Sequence, residues 1–138
     1  MKMLPSGFRP DSFEIAAQWV NAGAYSFGDA LAELIDESKK MDKCRLASAM
    51  TVEPVKLETT NADYGNWQDA YLAAAAEHLA WGAGIDIPRW TDNPDRFLSK
   101  PWYDNHGYAS LNALVFAESP PAFRRRCIFT EANPLRRA

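Results

Sequence analysis

Apolar positions recur at steps of three and four through most of the chain, and residues that start or stop helices bound each run. Phe13, Ala16, Ala17 and Val20 fall on one side of a first helix. Asp11 precedes it with Glu14 three residues on, a spacing like that of a capping box, and Asn21 and Gly23 end it. Ser26 opens a second helix whose stripe is Phe27, Leu31, Leu34 and Ile35, while Glu33, Asp36 and Glu37 face water. Asp29 in its first turn and Lys39 and Lys40 in its last complement the helix dipole. A third helix from Asp42 to about Met50 buries Leu46 and Met50, and Pro54 stops it. Residues 53–63 lose the helical period and read as a surface connection.

The strongest signal is a helix over residues 64–83. Trp67, Tyr71, Ala74, His78 and Trp81 line one face, and Leu72, Ala75, Ala76, Leu79 and Ala83 cover the next. Only a strip through Asp69, Ala73 and Glu77 is left for solvent. A helix apolar over most of its circumference is a central one, and its alanines let neighbours come close. Gly82 and Gly84 end it. From Ile85 to Gly107 the texture changes to Pro88, Pro94, Pro101 and Gly107, anchored by Trp90, Phe97 and Trp102. This predicts an ordered wrap with one helical turn near Asp95–Ser99. Tyr108 to Ala117 is another helix, with Leu111, Leu114 and Val115 inward. Ser119 then caps a last helix opened by Pro120, with Cys127, Ile128 and Phe129 extended or buried beyond it.

The expectation is an all-α fold of about five to seven helices around the central Ala/Trp-rich one. Residues 1–10 form an irregular leader and residues 11–138 one domain. A chain of 138 residues buries roughly two thirds of its unfolded surface and needs no metal or disulfide staple. Cys44 and Cys127 form no Cys-x-x-Cys pair and read as buried thiols of a reducing compartment. With no signal-like run and no apolar stretch near the ~20 residues of a membrane span, a cytoplasmic location without an anchor is expected. Five Trp, five Tyr and seven Phe are more large rings than a domain of this size readily hides, which favours an aromatic patch facing a partner.

The net charge of −3 argues against a general nucleic-acid binder. Its distribution says more. Residues 61–118 carry three bases against eight acids, whereas the last twenty carry five Arg against Glu131.

Catalytic and metal chemistry find little support, and neither a cofactor nor a metal is expected. His78 has Ala74, Ala75, Trp81 and Gly82 at helical spacing, none a base or ligand, and reads as a hydrogen-bonded core histidine. His106 follows Asp104 and Asn105, where acid–base tuning and a simple turn are alternatives. Asp92 and Asp95 flank Pro94 and are better placed to cap a turn than to share a metal. Arg124, Arg125 and Arg126 are the most informative charges. They spread around one helical turn, so at least one points toward protein. Either they serve an interface or they pair internally with acids such as Asp92, Asp95 and Glu118.

Three segments carry a family resemblance: Trp90-Thr-Asp-Asn-Pro-Asp-Arg-Phe-Leu, Lys100-Pro-Trp-Tyr and Glu118-Ser-Pro-Pro-Ala-Phe-Arg-Arg-Arg-Cys-Ile-Phe. Together with Ser26-Phe-Gly-Asp-Ala-Leu and the Ala73–Trp81 helix, they make the chain from about residue 12 resemble a module of bacterial antitoxin-like proteins. In that family the module commonly follows a helix-turn-helix domain, and a nucleotidyltransferase-type toxin is often encoded alongside. Residues 1–25 are too short for a helix-turn-helix domain, so DNA binding and autoregulation do not carry over. The resemblance implies a non-catalytic protein that neutralises a cognate toxin by direct contact, and leaves a homo-oligomer open. The residues expected to form the contact are Trp90, Trp102, Phe123, Arg124, Arg125 and Arg126, as a largely outward aromatic and guanidinium surface. The alternatives are a nucleic-acid-associated regulator acting through the basic C-terminus and a small enzyme built on His78 or His106.

Overall fold

A computed structural model describes residues 9–57 and 67–135. The fold is all-α, with six α-helices among the described residues: α1 Phe13–Asn21, α2 Phe27–Ser38, α3 Lys43–Ala49, α4 Trp67–Ala83, α5 Asn112–Glu118 and α6 Pro121–Arg124. Short 3-10 turns occupy Arg89–Asp92, Pro94–Arg96 and Ala109–Leu111. Two brief strands, β1 Trp102–Tyr103 and β2 Ile128–Phe129, pair in parallel, with Trp102 opposite Ile128 and Tyr103 opposite Phe129.

Capping decides where the first helices begin. Ser12, and not Asp11, caps α1, its hydroxyl accepting from the Ile15 amide at 3.1 Å. Ser26 caps α2 through the Asp29 amide at 3.1 Å, and Asp42 caps α3 through the Arg45 amide at 2.8 Å. Of the expected leader, residues 1–8 lie outside the described residues; Arg9 pairs with Glu33 and Glu37 of α2, and Pro10 is buried. The connection over 53–63 is described as far as Leu57, and both Pro54 and Leu57 are buried.

Helix α4 is the axis of the molecule. Every residue from Asp69 to Ala76 is buried, because α6 and the two 3-10 turns before β1 lie on the side expected to meet water. The strip through Asp69, Ala73 and Glu77 is therefore covered. Alanines at 70, 73, 74, 75, 76 and 80 are sealed and let these neighbours sit close to the backbone. Phe13, Leu34, Met50, Phe123 and Ile128 fill the rest of the core, each contributing about 1.5–3 kcal/mol by leaving water.

The last turn of α4 runs out of the bundle. Trp81, expected on the buried stripe, is 68% exposed. Gly84 takes φ +71°, its amide donating to Trp81 O at 3.2 Å while Ile85 N–H reaches Ala80 O at 3.0 Å. This left-handed ending releases the chain from the helix into an irregular segment over residues 85–88.

Three further expectations change. The helical turn placed near Asp95–Ser99 is instead the 3-10 pair over Arg89–Asp92 and Pro94–Arg96. Leu114 is 52% exposed, because α5 rests on β2 chiefly through Val115. Ser119 does not cap α6. Its hydroxyl donates to Val115 O at 2.7 Å and accepts from the Thr130 amide at 2.6 Å, joining the end of α5 to the residue after β2.

Candidate functional site

The end of the short helix α6 and the turn after it present three arginines in three directions. After Phe123 the chain turns sharply, with Arg126 N–H donating to Phe123 O at 3.0 Å and Cys127 N–H to Arg124 O at 3.0 Å. Cys127 closes the turn at φ +63°, a left-handed conformation that side chains resist. Arg124 crosses to the end of α5, donating to the carbonyls of Phe116 and Ala117 and lying over the rings of Phe116 and Phe129. Arg125 forks onto Glu77, with Nε 3.0 Å and Nη2 2.7 Å from Oε1, and also bonds Asp92. Arg126 has no exposed surface; it donates to Glu77 Oε1 at 2.8 Å, Ala122 O at 2.7 Å and Thr91 O at 2.7 Å.

Glu77 thus holds both guanidinium groups. Burial alone raises its pKa, but the hydrogen bonds from Arg125 and Arg126 outweigh it and hold the carboxyl below the usual carboxylate range. Its contact raises Arg125, while burial lowers Arg126. Phe97 lies against both guanidinium groups, 5.1 and 4.8 Å from its ring centre.

A second fully buried arginine, outside the triplet, works the same way. Arg96 is fully buried and donates to Glu53 at 3.1 Å, Pro54 O at 2.6 Å and Asp69 O at 3.2 Å, with Trp90 against its face at 5.0 Å. It ties the wrap to the segment before α4 and to α4 itself. Its signal in the sequence is slight: one base between Asp95 and Phe97 in a stretch otherwise short of them.

The six residues expected to face a partner are mostly turned inward. Phe123 and Arg126 are sealed. Phe123 packs on Tyr71 and His78, with ring centres 5.1 and 5.7 Å apart. Trp90 is half-buried, its indole donating to Met50 O at 2.8 Å. Trp102 is half-buried and stacks on Trp67 at 4.3 Å. Arg124 is half-buried over its two rings, and Arg125 alone of the six is exposed. Internal pairing with the acidic middle of the chain is the reading that holds for Arg125 and Asp92. Asp95 bonds Lys56 instead.

The surface beside Arg125 is apolar all the same. Trp81, Ile87 and Pro121 frame a groove of about 330 Å³ with Glu77 and Ala122 at its base. Ile87 also lines a depression of about 430 Å³ that reaches Trp90 and Met50. Trp81 carries the largest exposed ring here, and spacing alone assigned it wrongly. The two glycines that follow, Gly82 and Gly84, were the available hint that the helix was leaving the core. Tyr108, Leu114 and Phe116 form a separate exposed group around α5.

The remaining candidates are tied into the fold or lie apart. His78 is half-buried, burial lowers its pKa, and its Nδ1 finds no partner among the described residues. His106 is exposed in a left-handed turn at φ +53°, beside an Asp104 whose carboxyl is raised by burial. Tyr71 is pushed well above the usual phenol range by burial and by Asp104 and Glu131. Cys44, expected to be buried, is exposed, and Cys127 is half-buried. Among the described residues no three of His, Cys, Asp and Glu converge on a metal-sized site, and no helix is long and apolar enough to cross a membrane. Comparison with protein-family models, curated proteins and solved structures finds no significant match.

Proposed function

We propose that this chain is a non-catalytic, cytoplasmic binding protein of antitoxin type that neutralises a cognate toxin by covering it. The observation that carries the reading is Trp81, an indole with most of its surface in water, at the edge of a groove shared with Ile87 and Pro121. An aromatic anchor over an apolar groove, with an arginine close by, is the composition of an interface hot spot. The cluster of Arg125, Arg126, Glu77 and Asp92 beside it balances two cations against two carboxylates, so a partner meets little net charge there. The same pairing weakens the alternative of a nucleic-acid-associated regulator, because Arg125 and Arg126 are engaged by acids and are not free to meet phosphate. The resemblance noted in the sequence supplies the partner class, a nucleotidyltransferase-type toxin encoded beside this chain. Co-expression with that neighbouring product tests the idea. Relief of growth arrest and co-purification of the two chains are expected; unabated toxicity would end it.

A further inference from the structure

The irregular segment after α4 has properties that a flat hydrophobic patch lacks. Ile85 to Pro88 runs without regular structure along α3, and one set of hollows follows it. A depression of about 400 Å³ beside Lys43, Ala47 and Ile85 shares Asp86 with the one of about 430 Å³ beside Met50 and Trp90. Both Asp86 and Ile87 are exposed, and among the described residues neither amide meets an acceptor within the chain. Backbone amides left unpaired above a trough are able to bond a further strand.

Charge indicates what kind of strand. Lys43 lines one end of the trough and Arg89 the other, and neither has an acidic partner among the described residues. Glu53, on the same wall, is already held by Arg96. Asp86 sits between the two cations, so a uniformly acidic strand would meet a like charge at its centre. A strand with carboxylates at its ends and an uncharged, apolar middle meets none.

We propose that this trough receives an extended segment of the partner protein, hydrogen-bonded to the backbone through one of the two free amides, at Asp86 or Ile87. Its apolar centre sits against Met50, Ile87 and Trp90, and its terminal carboxylates reach Lys43 and Arg89. The proposal rests on the binding role argued above and names how the partner docks on that face.

Fluorescence anisotropy with the intact protein tests it, using a labelled peptide Glu-Val-Thr-Leu-Thr-Glu. The controls are Lys-Val-Thr-Leu-Thr-Lys and the first peptide N-methylated at leucine. Saturable binding of the acidic peptide alone is expected, weakened about tenfold or more by the paired changes Lys43→Glu and Arg89→Glu. Both residues are exposed, and Glu at the start of α3 suits the helix dipole, so the variant keeps its fold. No binding of the acidic peptide, or equal binding of all three, overturns the proposal. Concentration-dependent self-association abolished by the same variant would place a second copy in the trough and overturn it too. If the neighbouring gene product is captured equally by variant and unmodified protein, the trough is refuted and the binding role stands. If the unmodified protein binds the peptide but captures no such product, the trough stands and the toxin reading falls.

Discussion

Oε1 of Glu77 accepts from the sealed Arg126 at 2.8 Å and from the exposed Arg125 at 2.7 Å, so one oxygen joins the interior of the bundle to its surface. Around that oxygen meet α4, the residues after α6, and the 3-10 turn that supplies Thr91 and Asp92. A buried guanidinium that loses its carboxylate is left as an uncompensated charge, which costs far more than a surface pair is worth. Glu77→Ala is therefore expected to destabilise the protein by about 3–5 kcal/mol in urea unfolding. Arg125→Ala, at the exposed side of the same carboxylate, should cost about 1 kcal/mol or less.

The pH response of this contact has a definite sign. The folded carboxyl of Glu77 titrates below its ordinary value of 4.5, so its stabilising contribution is complete above that pH. It is lost as pH falls through the lowered folded value. Urea midpoints of the unmodified protein and Glu77→Gln should converge at the acid end of a series from pH 7 to 3. A gap that stays constant throughout would contradict the assignment.

Asp69 runs the opposite way. Burial is the largest influence on it and raises its carboxyl above 3.8, against the lowering effects of the Leu57 amide and Arg96. A folded group that binds its proton more tightly than the unfolded chain disfavours folding once ionised, and the penalty lifts as pH falls through the raised value. Asp69→Asn keeps an acceptor for the Leu57 amide, 2.9 Å away, and removes the charge. It should be neutral to stabilising at pH 7, by on the order of 1 kcal/mol. Asp69→Ala leaves that amide without an acceptor and should lose about 1–3 kcal/mol, measured in the same titration.

Cys127 tests the turn that aims the arginines. At φ +63° glycine is comfortable and a β-branched residue is not. Cys127→Val should lower stability by about 1–3 kcal/mol in thermal or urea unfolding. Cys127→Gly should stay within about 1 kcal/mol of the parent. Equal losses for the two would show that the thiol's packing matters and the backbone angle does not.

Trp81→Ala separates folding from binding. Its side chain stands largely in water, so the change should move stability by about 0.5 kcal/mol or less. Loss of a hot-spot indole should weaken capture of the partner by about 2 kcal/mol or more, read by calorimetry or surface plasmon resonance. Unchanged affinity would remove the groove from the interface.

Periodicity and capping residues locate α1 to α4, because those signals are local, and do less well beyond residue 85. Ser26 and Asp42 cap where expected, and the run of alanines in α4 marked the central helix. What spacing could not show was which side of that helix the later chain would cover. Asp69 and Glu77 look like a solvent strip until Arg96 and Arg126 arrive from residues 27 and 49 positions further on. The same long-range closure drew Phe123 and Arg126 inward and left Trp81 outside. At the site, the arginine triplet was visible as unusual and one member was expected to turn toward protein. Which member did so depended on the turn at Cys127, a backbone angle that no helical pattern encodes.

The parallel pairing of Trp102 with Ile128 has a consequence for synthesis. Residues 89–104 obtain several of their fastenings from chain made later: Thr91 O and Asp92 from Arg126 and Arg125, Leu98 N from Arg126 O, and Asp104 N from Phe129 O. While those later residues are still inside the ribosome tunnel, the nascent wrap has only its contacts to earlier chain. Its full set of fastenings forms only as residues 125–129 emerge, so the wrap is closed by chain made after it.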